Sequence, residues 1–170
     1  MINEKSISKE WLQTVSKQHK ADISLVEKLV RAFLLLEGLA ESGLNFVFKG
    51  GTSLMLLFDK PKRLSIDIDI IVPDKNFNLT KILQQICIQK GFNSFEKANR
   101  NSNSLINKEH YKLLFSSALY AKELDVLLDV LYEDVKYNNL INKDIKSIFL
   151  FQETAPASVK IPDFNNILGD

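Results

Sequence analysis

Cysteine is almost absent. Cys87 stands alone, so no disulfide can form within the chain, and a lone thiol of this kind fits a reducing, intracellular setting. Long apolar runs are missing as well. No stretch approaches the roughly 18 consecutive apolar residues of a membrane span, and the opening MINEKSISKEW lacks the apolar segment of a secretion signal. These absences predict a cytoplasmic protein. With only four prolines and six glycines in 170 residues, collagen-like and low-complexity architectures are excluded, and 45% hydrophobic with 25% charged residues describes an ordinary globular chain. A chain this long buries about 70% of the surface its unfolded form exposes, so its core needs neither disulfide nor structural metal. A single domain over residues 1–170 is expected.

Charge of one sign is scarce too. The net charge is +1, but residues 1–120 carry 17 Lys and Arg against 12 Asp and Glu, whereas residues 121–170 carry 5 against 9. The excess is spread thinly and gives only a slight bias toward a polyanionic ligand. There are two histidines, His19 and His110, far apart and without metal-ligand spacing, and both read as surface or capping residues. Cys87 and the eleven phenylalanines read as core, and no basic-aromatic nucleic-acid motif is present.

Helical periodicity is clearest over residues 22–41, where Ile23, Val26, Val30, Phe33 and Leu36 recur at three- or four-residue spacing, between Ser24-x-x-Glu27, which fits a capping box, and Gly43 as a stop. Residues 8–20 and 80–90 predict two further helices. A short apolar run at 45–49 passes through Gly50-Gly51 into a helix-like stretch at 52–58, and residues 65–72 alternate as a strand until Pro73. Residues 99–107 form a polar loop. Two strand-like runs, 110–119 and 125–132, predict a hairpin. Another apolar run covers 147–151, and residues 159–170 predict a strand followed by a first helical turn that leaves Phe164, Ile167 and Leu168 uncovered.

Two local patterns carry chemistry. Strand residues two apart share a face, so Asp67 and Asp69 in SIDIDIIV set two carboxylates side by side while Ile66, Ile68 and Ile70 turn away. Carboxylate oxygens suit hard cations such as Mg²⁺, and a carboxylate pair can bridge ions about 3.5 to 4 Å apart that neutralise phosphate charge. An acidic solvent face is the plainer explanation of that pattern taken alone. Gly50-Gly51-Thr52-Ser53 lies where a strand passes into a helix, and there free amides, absent side chains and two hydroxyls can cradle a phosphate. A tight turn with a hydroxyl cap explains that pattern equally simply.

The two patterns together say more than either. Thirteen residues separate Ser53 from Asp67, room for a short helix and a returning strand that bring a phosphate cradle beside a metal site. Lys49-Gly-Gly-Thr-Ser followed by Arg63-x-Ser65-x-Asp67-x-Asp69 resembles the signature of the DNA polymerase β-like nucleotidyltransferases, and within them the AbiEii-type toxins of abortive-infection and toxin–antitoxin systems. The match is dense over residues 46–72 and looser elsewhere.

The resemblance implies an α+β nucleotidyltransferase fold, a mixed, mainly antiparallel sheet with helices packed on one face. It implies that Gly50, Gly51, Thr52 and Ser53 hold a triphosphate, that Asp67 and Asp69 bind Mg²⁺, two ions in all, and that Lys49, Arg63 and Ser65 contact phosphate or brace the site. A third carboxylate from a neighbouring strand is also implied. The run DVLLDVLYED offers Asp125 and Asp129 on one strand face; the family pattern favours Asp129, as metal ligand and base. Lys60, Lys62 and Arg63 form a small basic cluster beside this site, best read as a solvated loop.

The implied reaction moves a nucleoside monophosphate from a nucleoside triphosphate to a hydroxyl acceptor, the 3′ end of a tRNA, and the implied partner is a cognate antitoxin protein. A small-molecule or protein acceptor is the alternative, as is an inactive module that only binds a partner. The family continues after a Gly-Asp or Gly-Glu step into a lysine-bearing helix, whereas this chain stops at Ile167-Leu168-Gly169-Asp170. The expectation is a catalytic sheet truncated before its C-terminal helical half, with activity dependent on the missing lysine.

Overall fold

The computed structural model describes residues 1–58, 61–98 and 107–168. Asp59, Lys60 and most of the polar stretch 99–107 fall outside these residues. Among the described residues, helices α1 (Lys9–Gln18), α2 (Ile23–Glu41), α3 (Leu79–Lys90) and α4 (Phe164–Leu168) accompany strands β1 (Val47–Lys49), β2 (Ile68–Ile71), β3 (Ser94–Ala98), β4 (Asn107–Ser116), β5 (Glu123–Tyr132), β6 (Leu140–Asp144) and β7 (Ser158–Pro162). The strands form one sheet in the order β3-β4-β5-β2-β1-β7-β6. Two pairings, β2 with β5 and β1 with β7, are parallel, and the other four are antiparallel. The mixed, mainly antiparallel α+β architecture is as expected.

Strand alternation divides the sheet into two faces. Phe48, Ile68, Ile70, Val126, Leu128, Val130, Val159 and Ile161 turn toward the helices and merge with the apolar residues of α1, α2 and α3 into one core. On the other face a small cluster of Val47, Ile71 and Leu131 packs against Val135, Tyr137 and Leu140 from the segment after β5. Helix α2 is the centre of the core. It is buried on nearly every side from Val26 to Leu39, because α1 and α3 flank it and the sheet lies beneath it.

Several local expectations shift. The N-cap of α2 is Asp22, whose carboxylate accepts from Leu25 N at 3.0 Å, in place of the Ser24–Glu27 box. Aspartate caps as well as serine does, and Glu27 is taken by the β4–β5 turn, where it accepts from Ser117 Oγ and Ala118 N. The apolar run 147–151, given no element from the sequence, is neither helix nor strand. It packs as a corner under α1, with Trp11 Nε1 donating to Phe149 O and Trp11 edge-on to Phe151. A short apolar run does not by itself distinguish a strand from such a corner. Strands β3 and β6 are mostly polar sheet edges with few apolar positions to announce them. At the chain's end β7 and α4 form as expected, but Ile167 is buried, and of the three apolar residues predicted to be uncovered only Phe164 is seen exposed, edge-on to Phe58. The Leu168 side chain lies outside the described set.

Candidate active site

The glycine turn is shaped by what lies against it. Gly50 has φ +81° and ψ −173°, a region essentially closed to other residues. A Cβ there would stand 2.5 Å from Asp69 Oδ2. Backbone and space therefore both require glycine, and the Asp69 carboxylate rests directly on the turn. The following stretch is a 3₁₀ helix over Gly51–Leu56, tighter than the α-helix expected over 52–58.

Thr52 and Ser53 are fully buried. Thr52 Oγ1 donates to Asp67 O at 2.5 Å and pairs with Ser65 Oγ at 2.8 Å, while Ser53 Oγ donates to Gly50 O at 2.6 Å. The Thr52 hydroxyl locks the turn to the segment that delivers Asp67, and that of Ser53 closes the turn on itself. As placed, they face inward, so what the turn offers an anion is backbone N–H groups at the start of a helical turn.

Register does the rest. Lys49 on β1 stands opposite Asp69 on β2, Asp69 stands opposite Asp129 on β5, and Asp129 stands opposite His110 on β4. Adjacent strands lie about 4.8 Å apart, so these four side chains form one row across the face away from the helices. Asp67, two residues before Asp69, is exposed at the entrance to β2. Asp125 is not part of the row. It pairs with Leu114, four residues and about 13 Å along the strand from Asp129.

The row holds more negative charge than it neutralises. Burial first, then the neighbouring Asp129 and Asp67 carboxylates, push the Asp69 carboxyl up to about 6, with Lys49 opposing and a hydrogen bond to Asp129 adding to the rise. Asp129 Oδ1 also meets His110 Nδ1 at 2.5 Å. His110 had no place in the motif. The only signal for it was the hairpin register, which pairs residues whose numbers sum to a constant once the turn at 117–122 is fixed.

Lys49 and Arg63 make no ion pair with a carboxylate among the described residues. Arg63 is exposed and, with Lys62, lines a cleft of about 910 Å³ that Gly51, Ser65, Asp67 and Asp22 also border. Among the described residues no three His, Cys, Asp or Glu side chains stand as a ready-made metal cage. The donor set is nonetheless the hard, all-oxygen kind that Mg²⁺ takes, and the missing side chain at Gly50 is what lets the Asp69 carboxylate lie against the turn. The residues fit a divalent cation that replaces the Asp69–Asp129 contact.

No helix among the described residues is long and apolar enough to cross a membrane. No curated protein matches the chain in sequence. Two crystal structures share its fold. JHP933 from Helicobacter pylori superposes with a TM-score of 0.54 at 18% identity, covering 96% of this chain and 56% of that one. A protein provisionally assigned as a nucleotidyltransferase, also from H. pylori, gives 0.51 at 21% identity, covering 85% and 55%. The chain thus spans little more than half the length of either. The family model for the nucleotidyl transferase AbiEii toxin of type IV toxin–antitoxin systems matches residues 34–170, a span that holds every residue of the row and the glycine turn, and the chain belongs to that family.

Proposed function

We propose that this chain forms the catalytic sheet of a metal-dependent nucleotidyltransferase acting as a toxin in the cytoplasm, with a tRNA 3′ end as acceptor and a cognate antitoxin protein as its restraint. The observation that carries the reading is the register that sets Asp69 beside Asp129, with Gly50 beneath them. Asp67, Asp69 and Asp129 would hold Mg²⁺, two ions in the full site, which supplies charge neutralisation at the transferred phosphate. The acceptor hydroxyl passes its proton to the Asp129 carboxylate as its oxygen bonds to the α-phosphorus. The bond from that phosphorus to the β-phosphate oxygen breaks, and pyrophosphate departs past the backbone amides of the Gly50-Gly51 turn. Thr52 and Ser65 support this by holding the turn against the segment that carries Asp67, and Ser53 by closing the turn on Gly50 O. Lys49, which forms no ion pair within the described residues although it faces Asp69, and the exposed Arg63 are the cations for the triphosphate.

The test is transfer of label from an α-³²P nucleoside triphosphate in the presence of Mg²⁺ to tRNA, to protein or to small molecules, by residues 1–170 and by a chain extended past Asp170. Labelled tRNA with the longer chain is the expected result. Label on another acceptor would reassign the substrate. Neither label nor nucleotide binding in either chain would leave only a partner-binding role.

A further inference from the structure

Strand β4 borders the site with a side chain that the motif leaves unexplained. His110 stands directly across from Asp129 in the β4–β5 register, and alternation puts both on the face away from the helices. The ring's Nδ1 lies 2.5 Å from Asp129 Oδ1. An ionised carboxylate only accepts, so Nδ1 carries the hydrogen of this bond. On its other flank His110 is paired with Ala98 of β3, which offers nothing to compete for the ring. Among the described residues, Asp129 is its one hydrogen-bond partner. The imidazole is 18% exposed and the carboxylate 40%, so the sheltered member of the pair is the ring, and the open one is the group that would meet a ligand.

A carboxylate on a strand can rotate about two side-chain torsions. A donor fixed at one oxygen removes that freedom and leaves the second oxygen for the neighbouring strand, where Asp69 lies. We propose that His110 is a positioning residue for this site, holding Asp129 by Oδ1 so that its other oxygen stays available to Asp69 and to a cation shared with it. The inference rests on the nucleotidyl-transfer reading above and adds to it a group that never touches the substrate. Donors that orient metal-binding carboxylates are typically worth 10- to 100-fold in metal affinity or activity.

Calorimetric titration of Mg²⁺ with a non-hydrolysable nucleoside triphosphate tests it on four proteins: the unaltered chain, His110→Ala, His110→Asn and Asp69→Asn. Metal-dependent nucleotide binding should weaken about 10- to 100-fold in His110→Ala. It should return most of the way in His110→Asn, whose amide nitrogen occupies nearly the place of Nδ1 and can still donate. Nuclear magnetic resonance of the ring nitrogens gives a readout independent of ligand. The chain has two histidines, and at mildly alkaline pH His110 should carry its hydrogen on Nδ1, against the Nε2 preference of a free imidazole; Asp129→Ala should restore that preference. Binding lost in Asp69→Asn but unchanged in His110→Ala, or an Nε2–H tautomer at His110 in the unaltered chain, would overturn the positioning role alone. Binding untouched by Asp69→Asn would overturn the transfer reading and this role with it.

Discussion

Two clusters of ionisable side chains among the described residues, one behind the sheet and one on its open face, are built in opposite ways. Behind the sheet, between α2 and α3, Glu37 is fully buried and fully answered: Oε1 accepts from Lys90 Nζ at 2.7 Å and Oε2 from Ile2 N at 2.8 Å. Burial pulls the Lys90 ammonium down, but Glu37 and Glu41 outweigh it and hold it above its ordinary value. On the other face, Asp69 is partly buried beside two further carboxylates, and its carboxyl is pushed up to about 6. The first arrangement closes every hydrogen bond and ties the chain's start to two helices. The second leaves like charges together, which a structural role gives no reason to tolerate and which a bound cation would relieve. Closed charges hold the fold, and open ones mark the site.

The sharpest way to break the contrast is to open the closed cluster. Glu37→Ala leaves the Ile2 amide unpaired and Lys90 with only the half-exposed Glu41, and should cost about 3 to 5 kcal/mol, the usual penalty for stripping one partner from a buried pair. Urea unfolding at neutral pH measures it, and a loss below about 1 kcal/mol would show the cluster to be dispensable.

Next in size is the turn on which Asp69 rests. Gly50→Ala forces a side chain into φ +81° and against Asp69 Oδ2, at a cost of about 1 to 3 kcal/mol in folding. It should also displace the carboxylate and abolish metal-dependent nucleotide binding. Gly51, whose added Cβ would meet nothing closer than Ser65 Oγ at 3.4 Å and whose φ is not positive, should accept alanine with far less loss.

A smaller effect separates the two regions by pH. The Asp69 carboxyl titrates at about 6 in the folded chain against an ordinary 3.8, so between these values the folded state holds a proton that the unfolded state has released. This group's contribution therefore lowers stability as pH rises through that window and is level above it. Asp69→Asn should remove that slope from the denaturation curves. Mg²⁺ affinity should rise across the same window, because ligation needs ionised carboxylates. The smallest expected effect is Asp125→Asn, which lies two pleats from the row and should leave nucleotide and metal binding within error. A loss there as large as that from Asp129→Asn would mean the third carboxylate is misassigned.

Patterns set by a segment's own backbone geometry are legible in the sequence for a physical reason. Residues two apart on a strand share a face whatever the rest of the chain does, so SIDIDIIV turns Asp69 away from Ile68 and Ile70, whereas the strand expected over 65–72 forms only at Ile68–Ile71 and leaves Asp67 exposed just before it. The same holds for α2, whose apolar positions repeat at helical spacing, and for the glycine pair at the end of β1. The edge strands β3 and β6 were not legible, because an edge exposes most of its residues and so need not alternate.

Tertiary structure decided which distant residues meet. Asp69 and Asp129 are sixty positions apart and joined by a parallel pairing whose register no local pattern encodes, since parallel strands need a long crossover and the sheet fixes their offset only once its core has packed. The choice of Asp129 over Asp125 became a matter of about 13 Å along one strand. His110 entered through the hairpin, and Glu27 left the α2 cap for the β4–β5 turn, because both side chains found partners that the sequence holds far from them. Alternation and periodicity are properties of the chain's own backbone geometry and survive in the sequence; register and the pairing of buried polar groups belong to the packed sheet, and only the folded molecule sets them.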